Sequence, residues 1–310
     1  MSRTRLALGT AAAVAGTAAM ARAVDRRWAS NADPCGLDEL SLPDGESTLV
    51  ATDDGAKLAM TVAGSGPTVV LAHCWTGGTQ VWSPVAHRLV RAGRRVVLYE
   101  QRGHGASTVG SDGLSIPRLG ADLRTIIEAV DAQDAVLAGH SMGGMTVQSL
   151  AAHHPDVIAA RARALVLVST AAAGLSQGRA DRRAERMLGS SRIDRALAGP
   201  AGHALVRGVV GKSVARNHLV VTRDLFVACD PKVRAGWFAA MQQMDLRDGI
   251  AGVAVPTTVM VGTRDRLTPL SRANEIVAAI PGATLQTLAG YGHMLPLEAP
   301  DQVADAILAA

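Results

Sequence analysis

The chain has 310 residues, of which 48% are hydrophobic and 19% charged, with a formal net charge of +4. That is enough apolar sequence for a large buried core and excludes a disordered or low-complexity chain. Cys35, Cys74 and Cys229 form neither an even set nor a short paired spacing, which argues against a disulfide framework and a zinc site.

The first residues differ in kind from the rest. Arg3 and Arg5 precede an uncharged run from Leu6 to Met20, and the small-x-small triplet Ala21-Arg22-Ala23 follows. A basic start, an apolar segment and such a triplet are expected of an export leader over residues 1–25, cleaved or retained as an N-terminal envelope anchor. The run is short and weakly apolar for a transmembrane span. The protein is therefore expected to be exported, secreted or attached to the cell envelope, with a cytoplasmic location as the alternative. Residues 26–46 read as a linker.

From residue 47 a regular rhythm begins. Thr48–Thr52 and Lys57–Val62 read as a hairpin joined at Asp53-Asp54-Gly55. Thr68–Ala72 is a short apolar strand ending in His73-Cys74-Trp75-Thr76-Gly77, and Ser83–Ala92 has helical spacing. Arg95–Tyr99 reads as the next buried strand, leading into Arg102-Gly103-His104-Gly105. Ile116–Val130 reads as a helix with Ile116, Leu119, Leu123, Ile126 and Ile127 on one side. Asp134–Gly139 is a strand, Met142–His153 a helix and Ala164–Val168 a strand. Short apolar strands alternating with helices predict a mostly parallel α/β sheet covered on both faces.

After Ser169-Thr170 the alternation breaks. Residues 171–248 hold helix-like stretches, such as Arg182–Leu188 and Val233–Met244, without a buried strand, and read as an inserted helical cap. Strands resume at Thr257–Val261 and Thr284–Leu288, and a helix from Pro300 to Leu308 ends the chain. Residues 47–170 and 249–310 thus form the predicted core. Between residues 176 and 225, ten Arg and Lys oppose four Asp and Glu. A solvated helix face is the first reading of that excess and attraction to an anionic substrate or membrane surface the second; no nucleic-acid motif accompanies it.

Gly139-His140-Ser141-Met142-Gly143 stands between a predicted strand and a predicted helix. Such an elbow presents the central serine outward, and flanking glycines are needed where strand and helix approach closely. A serine hydroxyl is a weak nucleophile and requires a base, itself oriented by an acid. Asp265, in Gly262-Thr263-Arg264-Asp265, and His293, in Gly290-Tyr291-Gly292-His293, follow the last two predicted strands. Open α/β sheets place their sites at these strand ends.

Order, spacing and context of these motifs resemble the α/β-hydrolase superfamily, in its capped serine-hydrolase form, from about residue 47 to the C-terminus. The resemblance implies an α/β-hydrolase fold with Ser141 as nucleophile, His293 as base and Asp265 as orienting acid. It also implies an oxyanion hole made by the backbone N–H groups of Trp75 and Met142. Family members often carry His-Gly-x-Pro-Gly in the first loop; here Cys74 stands for the glycine and Thr76 for the proline. Cys74 reads as a small packed side chain beside the site. Arg102-Gly103-His104-Gly105 is expected to brace the mouth, with Ser107 holding its turn. His140 is expected to point away from Ser141, His153 and His154 to lie at the surface, and His203 and His218 to be solvent-exposed in the cap. Asp245 is the reserve acid.

A serine nucleophile implies acyl chemistry, because a serine alkyl ether could not be cleared by attack at a carbonyl. The expected function is hydrolysis of carboxylic esters, of the esterase or lipase kind, through an acyl-enzyme. No metal and no cofactor are implied. The partner is a small acyl substrate, including lipids, rather than nucleic acid. The same triad also serves cofactor-free haloperoxidases or perhydrolases and carbon–carbon hydrolases, and a ligand-binding protein without turnover is the alternative of another class. Leu188, Leu197, Leu205, Phe226, Trp237, Phe238 and Met241 would either face an acyl chain or form the cap's own core.

Overall fold

The computed structural model describes residues 33–174, 179–197, 202, 206–211 and 214–310. The expected leader, together with His203 and Leu205, lies outside them. Among the described residues, no helix is long and apolar enough to cross a membrane.

Eight strands form one sheet in the order β1-β2-β4-β3-β5-β6-β7-β8. They are β1 (Gly45–Ala51), β2 (Lys57–Ala63), β3 (Thr68–Ala72), β4 (Arg95–Tyr99), β5 (Ala135–His140), β6 (Ala162–Val168), β7 (Thr257–Gly262) and β8 (Thr284–Leu288). The β1–β2 hairpin pairs antiparallel and joins β4 antiparallel; every other pairing is parallel. β3 and β5 are buried along their whole length, as central strands covered on both faces must be. β8, at the edge, has only exposed and half-buried residues instead.

Helices α1 (Ser83–Arg91), α2 (Ile116–Ala129), α3 (Met142–His153) and α4 (Pro155–Arg161) follow their strands. One hydrophobic cluster packs Leu119, Leu123, Leu137 and Leu150 under α2 and α3. A second packs Trp82, Leu89, Val96 and Ile307 on the opposite face. The helix α4 has no counterpart in the sequence reading. At seven residues it is shorter than the window over which an apolar helical period stands out.

Between β6 and β7 the chain forms α5 (Arg179–Leu188), α6 (Ser191–Leu197), α7 (Arg216–Ala228), α8 (Pro231–Gln243) and the short α9 (Arg247–Ile250). Asp230 caps α8 by accepting from Lys232 N and Val233 N, and Pro231 stands in its first turn, both standard start signals. The fully buried Arg234 of α8 ties this insertion together. Its guanidinium donates to Leu188 O at 2.8 Å and Phe226 O at 3.0 Å, pairs with Asp194 at 2.8 Å and lies 4.4 Å above the Phe226 ring. Four helices thereby share one charge whose removal would leave buried carbonyls without donors. After β7 come α10 (Leu270–Ala279), then α11 (Leu295–Glu298) and α12 (Pro300–Leu308) beyond β8.

From Asp33 onward, the stretch expected as a linker packs against the protein. Cys35 and Leu40 are buried in a cluster with Val81, Val214 and Leu219, and Arg88 donates to Pro34 O at 2.9 Å.

Candidate active site

Ser141 sits between β5 and α3 with φ 54° and ψ −115°, a conformation costly for any residue with a side chain. Its neighbours hold it there. Ser141 N donates to Val168 O at 2.9 Å, and Thr170 Oγ1 donates to Ser141 O at 2.7 Å. A Cβ at Gly139 would collide with the Gly143 backbone, and one at Gly143 with the carbonyl of Ala72. The two glycines are thus required by close approach of backbone rather than by a positive φ.

Asp265 and His293 come from the loops after β7 and β8 and meet at 2.9 Å, Asp265 Oδ2 to His293 Nδ1. Asp265 Oδ1 accepts from Leu267 N and Thr268 N, both at 2.9 Å, and Oδ2 accepts from Thr268 Oγ1 at 2.8 Å. Burial pushes this carboxyl up, but the neighbouring imidazole and these donors outweigh it and hold it at about 2. It is therefore an anion at neutral pH, and the Nδ1 of His293 is kept as a donor.

The backbone around His293 is fixed by two residues to which the sequence reading gave no role in the site. Glu298 is buried and accepts from Gly211 N at 2.6 Å, Gly292 N at 3.0 Å and Met294 N at 3.0 Å, bracketing His293 on both sides. The second is His140, whose Nε2 lies 2.8 Å from His293 O. Burial, followed by the nearby imidazole of His293, pushes His140 down to about 3. Neutral His140 therefore carries its proton on Nε2 and donates to that carbonyl. As expected, it is not placed as a base towards Ser141. Instead it positions the histidine loop.

Trp75 lines the same cavity as Ser141, Met142 opens the helix after it, and both their backbone N–H groups are without a protein acceptor among the described residues. Thr76 adopts φ 55°, which proline, locked near −65°, cannot reach, so this loop is built differently from one with proline there. His104 supplies the brace: its Nε2 accepts from Thr76 N at 3.2 Å. Burial, then the nearby His73 ring, holds His104 down at about 3, which leaves Nε2 as an acceptor at neutral pH. Cys74 is buried, with its thiol pushed up to about 12 by burial, and it packs as a small apolar side chain. Ser107 fastens the following turn through Glu100 O at 2.6 Å and Ala59 N at 2.9 Å.

Ser141 and His293 open into one cavity of about 280 Å³, walled by Trp75, Val81, Leu188, Leu197, Leu225, Phe226 and Met294 among others. Of the apolar positions read as either an acyl wall or the insertion's own core, Leu188, Leu197 and Phe226 line the cavity. Trp237 does not: it is fully buried in the core and donates to Arg102 O at 3.1 Å. Met241 packs against the same core, and Phe238 lies 5.9 Å from the Trp75 ring. Asp245, the reserve acid, is exposed and paired with Arg247. His218 corrects the expectation of exposure, being fully buried against the chain around Cys35. His153 is exposed and His154 half-buried.

Residues 65–300 match the family described as serine aminopeptidase, S33. A pimeloyl-[acyl-carrier protein] methyl ester esterase of Xanthomonas oryzae is 28% identical over 252 residues, covering 79% of this chain and 95% of its own. A non-heme chloroperoxidase of Burkholderia pyrrocinia is 27% identical over 238 residues, covering 73% of this chain and 84% of its own. Among solved structures, a hydrolase from Pseudomonas aeruginosa is 30% identical with a TM-score of 0.72, covering 86% of this chain and 98% of that one. An esterase from Exiguobacterium antarcticum reaches a TM-score of 0.76 at 21% identity, covering 85% of this chain and 98% of that one, a likeness of fold. The chain belongs to the serine aminopeptidase S33 family of α/β hydrolases and is a serine hydrolase of that fold.

Proposed function

We propose that the protein hydrolyses carboxylic esters of short to medium acyl chains through an acyl-enzyme on Ser141. The observation that carries this is the 2.9 Å contact of His293 Nδ1 with Asp265, made by a histidine that lines the same cavity as the elbow serine. In the reaction, Ser141 Oγ attacks the carbonyl carbon while His293 Nε2 takes its proton, and Asp265 holds the ring in the tautomer that leaves Nε2 free. The oxyanion rests on the N–H groups of Trp75 and Met142. Collapse expels the alcohol, which receives the proton from Nε2, and water then attacks the acyl carbonyl by the same route.

The insertion between β6 and β7 acts in this scheme as a cap that supplies the acyl wall. A volume of about 280 Å³ lies just below the usual range of small-ligand pockets, about 300–1,000 Å³, which favours compact acyl groups over long lipid chains. The esterase relative supports ester chemistry in this scaffold. The chloroperoxidase relative supports a second reading, in which hydrogen peroxide replaces water in deacylation and yields a peracid. Export through residues 1–25 belongs to the same proposal and is tested by the N-terminus of the secreted protein.

The test is hydrolysis of p-nitrophenyl esters from acetate to palmitate by wild type and Ser141→Ala. Activity that peaks at short or medium chains and vanishes in the variant supports the proposal. A folded wild type inert across the series would overturn it, and peracid formation would then be assayed with the same pair.

A further inference from the structure

Away from the cavity, three side chains with metal-binding atoms converge. Asp33 and Cys35 come from the segment before β1 and His218 from the first turn of α7. His218 Nε2 lies 3.0 Å from Asp33 Oδ1 and 3.2 Å from Cys35 Sγ, and Sγ lies 3.5 Å from Oδ1. Cys35 and His218 are buried, whereas Asp33 reaches solvent. From these positions we infer a binding site for a zinc-type divalent cation, held by Asp33, Cys35 and His218 with its fourth position facing water.

The three atoms form a closed triangle. Sγ and Nε2 can each donate to Asp33 Oδ1, which leaves the third edge, Nε2 to Sγ at 3.2 Å, with no proton of its own. One face of a tetrahedral zinc site makes all three approach together. With zinc–sulfur bonds of about 2.3 Å and zinc–nitrogen and zinc–oxygen bonds of about 2.0 Å, the edges of that face are roughly 3.3–3.6 Å. The observed separations of 3.0, 3.2 and 3.5 Å need to open by only about 0.3 Å to receive the ion. The donor set suits a borderline-soft cation: one thiol, one imidazole and one carboxylate. It does not suit calcium or magnesium, which take oxygen ligands.

The ligands are also held in place by contacts that do not depend on a metal. Arg88 donates to Pro34 O at 2.9 Å between the two ligands of the first segment. Asn217 Nδ2 donates to Asp33 Oδ2 at 3.2 Å, and Cys35 N donates to Asp33 Oδ1 at 3.1 Å. Without a metal, the Asp33 carboxylate 3.0 Å away keeps the ring proton of His218 on Nε2; a cation on Nε2 would confine that proton to Nδ1, which has no protein partner among the described residues. Short cysteine spacing reports only on neighbouring ligands, whereas Cys35 and His218 are 183 positions apart.

Such an ion would staple the N-terminal segment to the helix that walls the cavity. One turn beyond His218, Thr222 donates its hydroxyl to His218 O at 2.7 Å, and Thr222, Leu225 and Phe226 line the cavity. The ion would therefore stabilise α7 without touching the acyl chemistry.

The experiment uses the full chain, stripped with a chelator and titrated with Co²⁺, followed by competition with Zn²⁺. One equivalent of cobalt should give tetrahedral visible bands and a near-ultraviolet thiolate-to-cobalt charge-transfer band. Zinc should remove both and raise the thermal midpoint. Cys35→Ser should abolish the charge-transfer band, and Asp33→Asn, at the solvent edge, should weaken binding at least tenfold. Folded wild-type protein that shows no charge-transfer band and no thermal shift overturns the inference. So does a band that survives Cys35→Ser, which would assign the thiolate to another cysteine. Because the readouts on wild type are spectroscopic and thermal, they stand apart from esterase activity.

Discussion

Replacing Asp265 by Asn tests how the acid works. The two oxygens of Asp265 have different surroundings: Oδ1 faces two backbone N–H groups, while Oδ2 faces the Thr268 hydroxyl and His293 Nδ1. An asparagine amide pointed at Leu267 N and Thr268 N would set donor against donor. The carbonyl must therefore take the Oδ1 position and the NH₂ the Oδ2 position. The Thr268 hydroxyl can rotate to accept from that NH₂, so little folding stability is lost. His293 cannot adapt without changing function. Its Nδ1 becomes the acceptor, its proton moves to Nε2, and Nε2 can no longer take the proton of Ser141. A serine relay with the wrong tautomer loses about 10⁴-fold in kcat, or about 5.5 kcal/mol of transition-state stabilisation. Steady-state kinetics on the best p-nitrophenyl ester should show that loss with KM little changed and the thermal midpoint within a few degrees of wild type. A loss under tenfold in well-folded protein would refute Asp265 as the residue that sets the tautomer.

Three further outcomes follow from the same geometry. Gly143→Ala should destabilise the fold by about 3 kcal/mol and abolish ester hydrolysis, because its Cβ would run into Ala72 O; unchanged denaturant midpoint and activity would contradict the close approach at the elbow. Glu298→Gln keeps size but puts an NH₂ against one of three backbone donors, and kcat should fall about tenfold to a hundredfold, in line with roughly 1.5–3 kcal/mol for a lost charged hydrogen bond; an unaltered kcat would show that the His293 loop holds itself. Acid should unfold the protein in a defined window. The Arg102 guanidinium holds the buried Asp54 well below the carboxylate range, and Asp265 titrates at about 2. Both folded values lie below the unfolded ones, so the stability they add is complete above about pH 4 and is lost as the pH falls through the folded values. Urea midpoints measured down this range should decline less steeply in Asp54→Asn, and equal slopes would remove Asp54 from the account.

Particular elements show why some of this was legible in the sequence and some was not. Burial on both faces makes β3 and β5 continuous apolar runs, and parallel order puts the ends of β5, β7 and β8 on one edge of the sheet. Ser141, Asp265 and His293, each just past such an end, could therefore be grouped from local pattern alone. The elbow glycines were equally legible, because the close approach that requires them is made within one strand–turn–helix unit and the loop beside it. The hairpin β1–β2 was visible through its Asp-Asp-Gly turn.

Other features depended on contacts that no local period reports. His140 steadies His293 from 153 positions away, and Glu298 gathers three amides, one of them from the insertion. Arg234 looks like one more helix-surface charge until four helices close around it, and Trp237 looks like a cavity wall until it turns into the core. Asp33, Cys35 and His218 meet only after the chain before β1 is laid against α7. The sequence by itself determined where strands end and which chemistry stands there, because those are properties of neighbouring residues. Tertiary structure alone decided which buried polar groups hold that chemistry in place, because a lone donor, acceptor or ligand acquires its role only from the partner that packing brings to it.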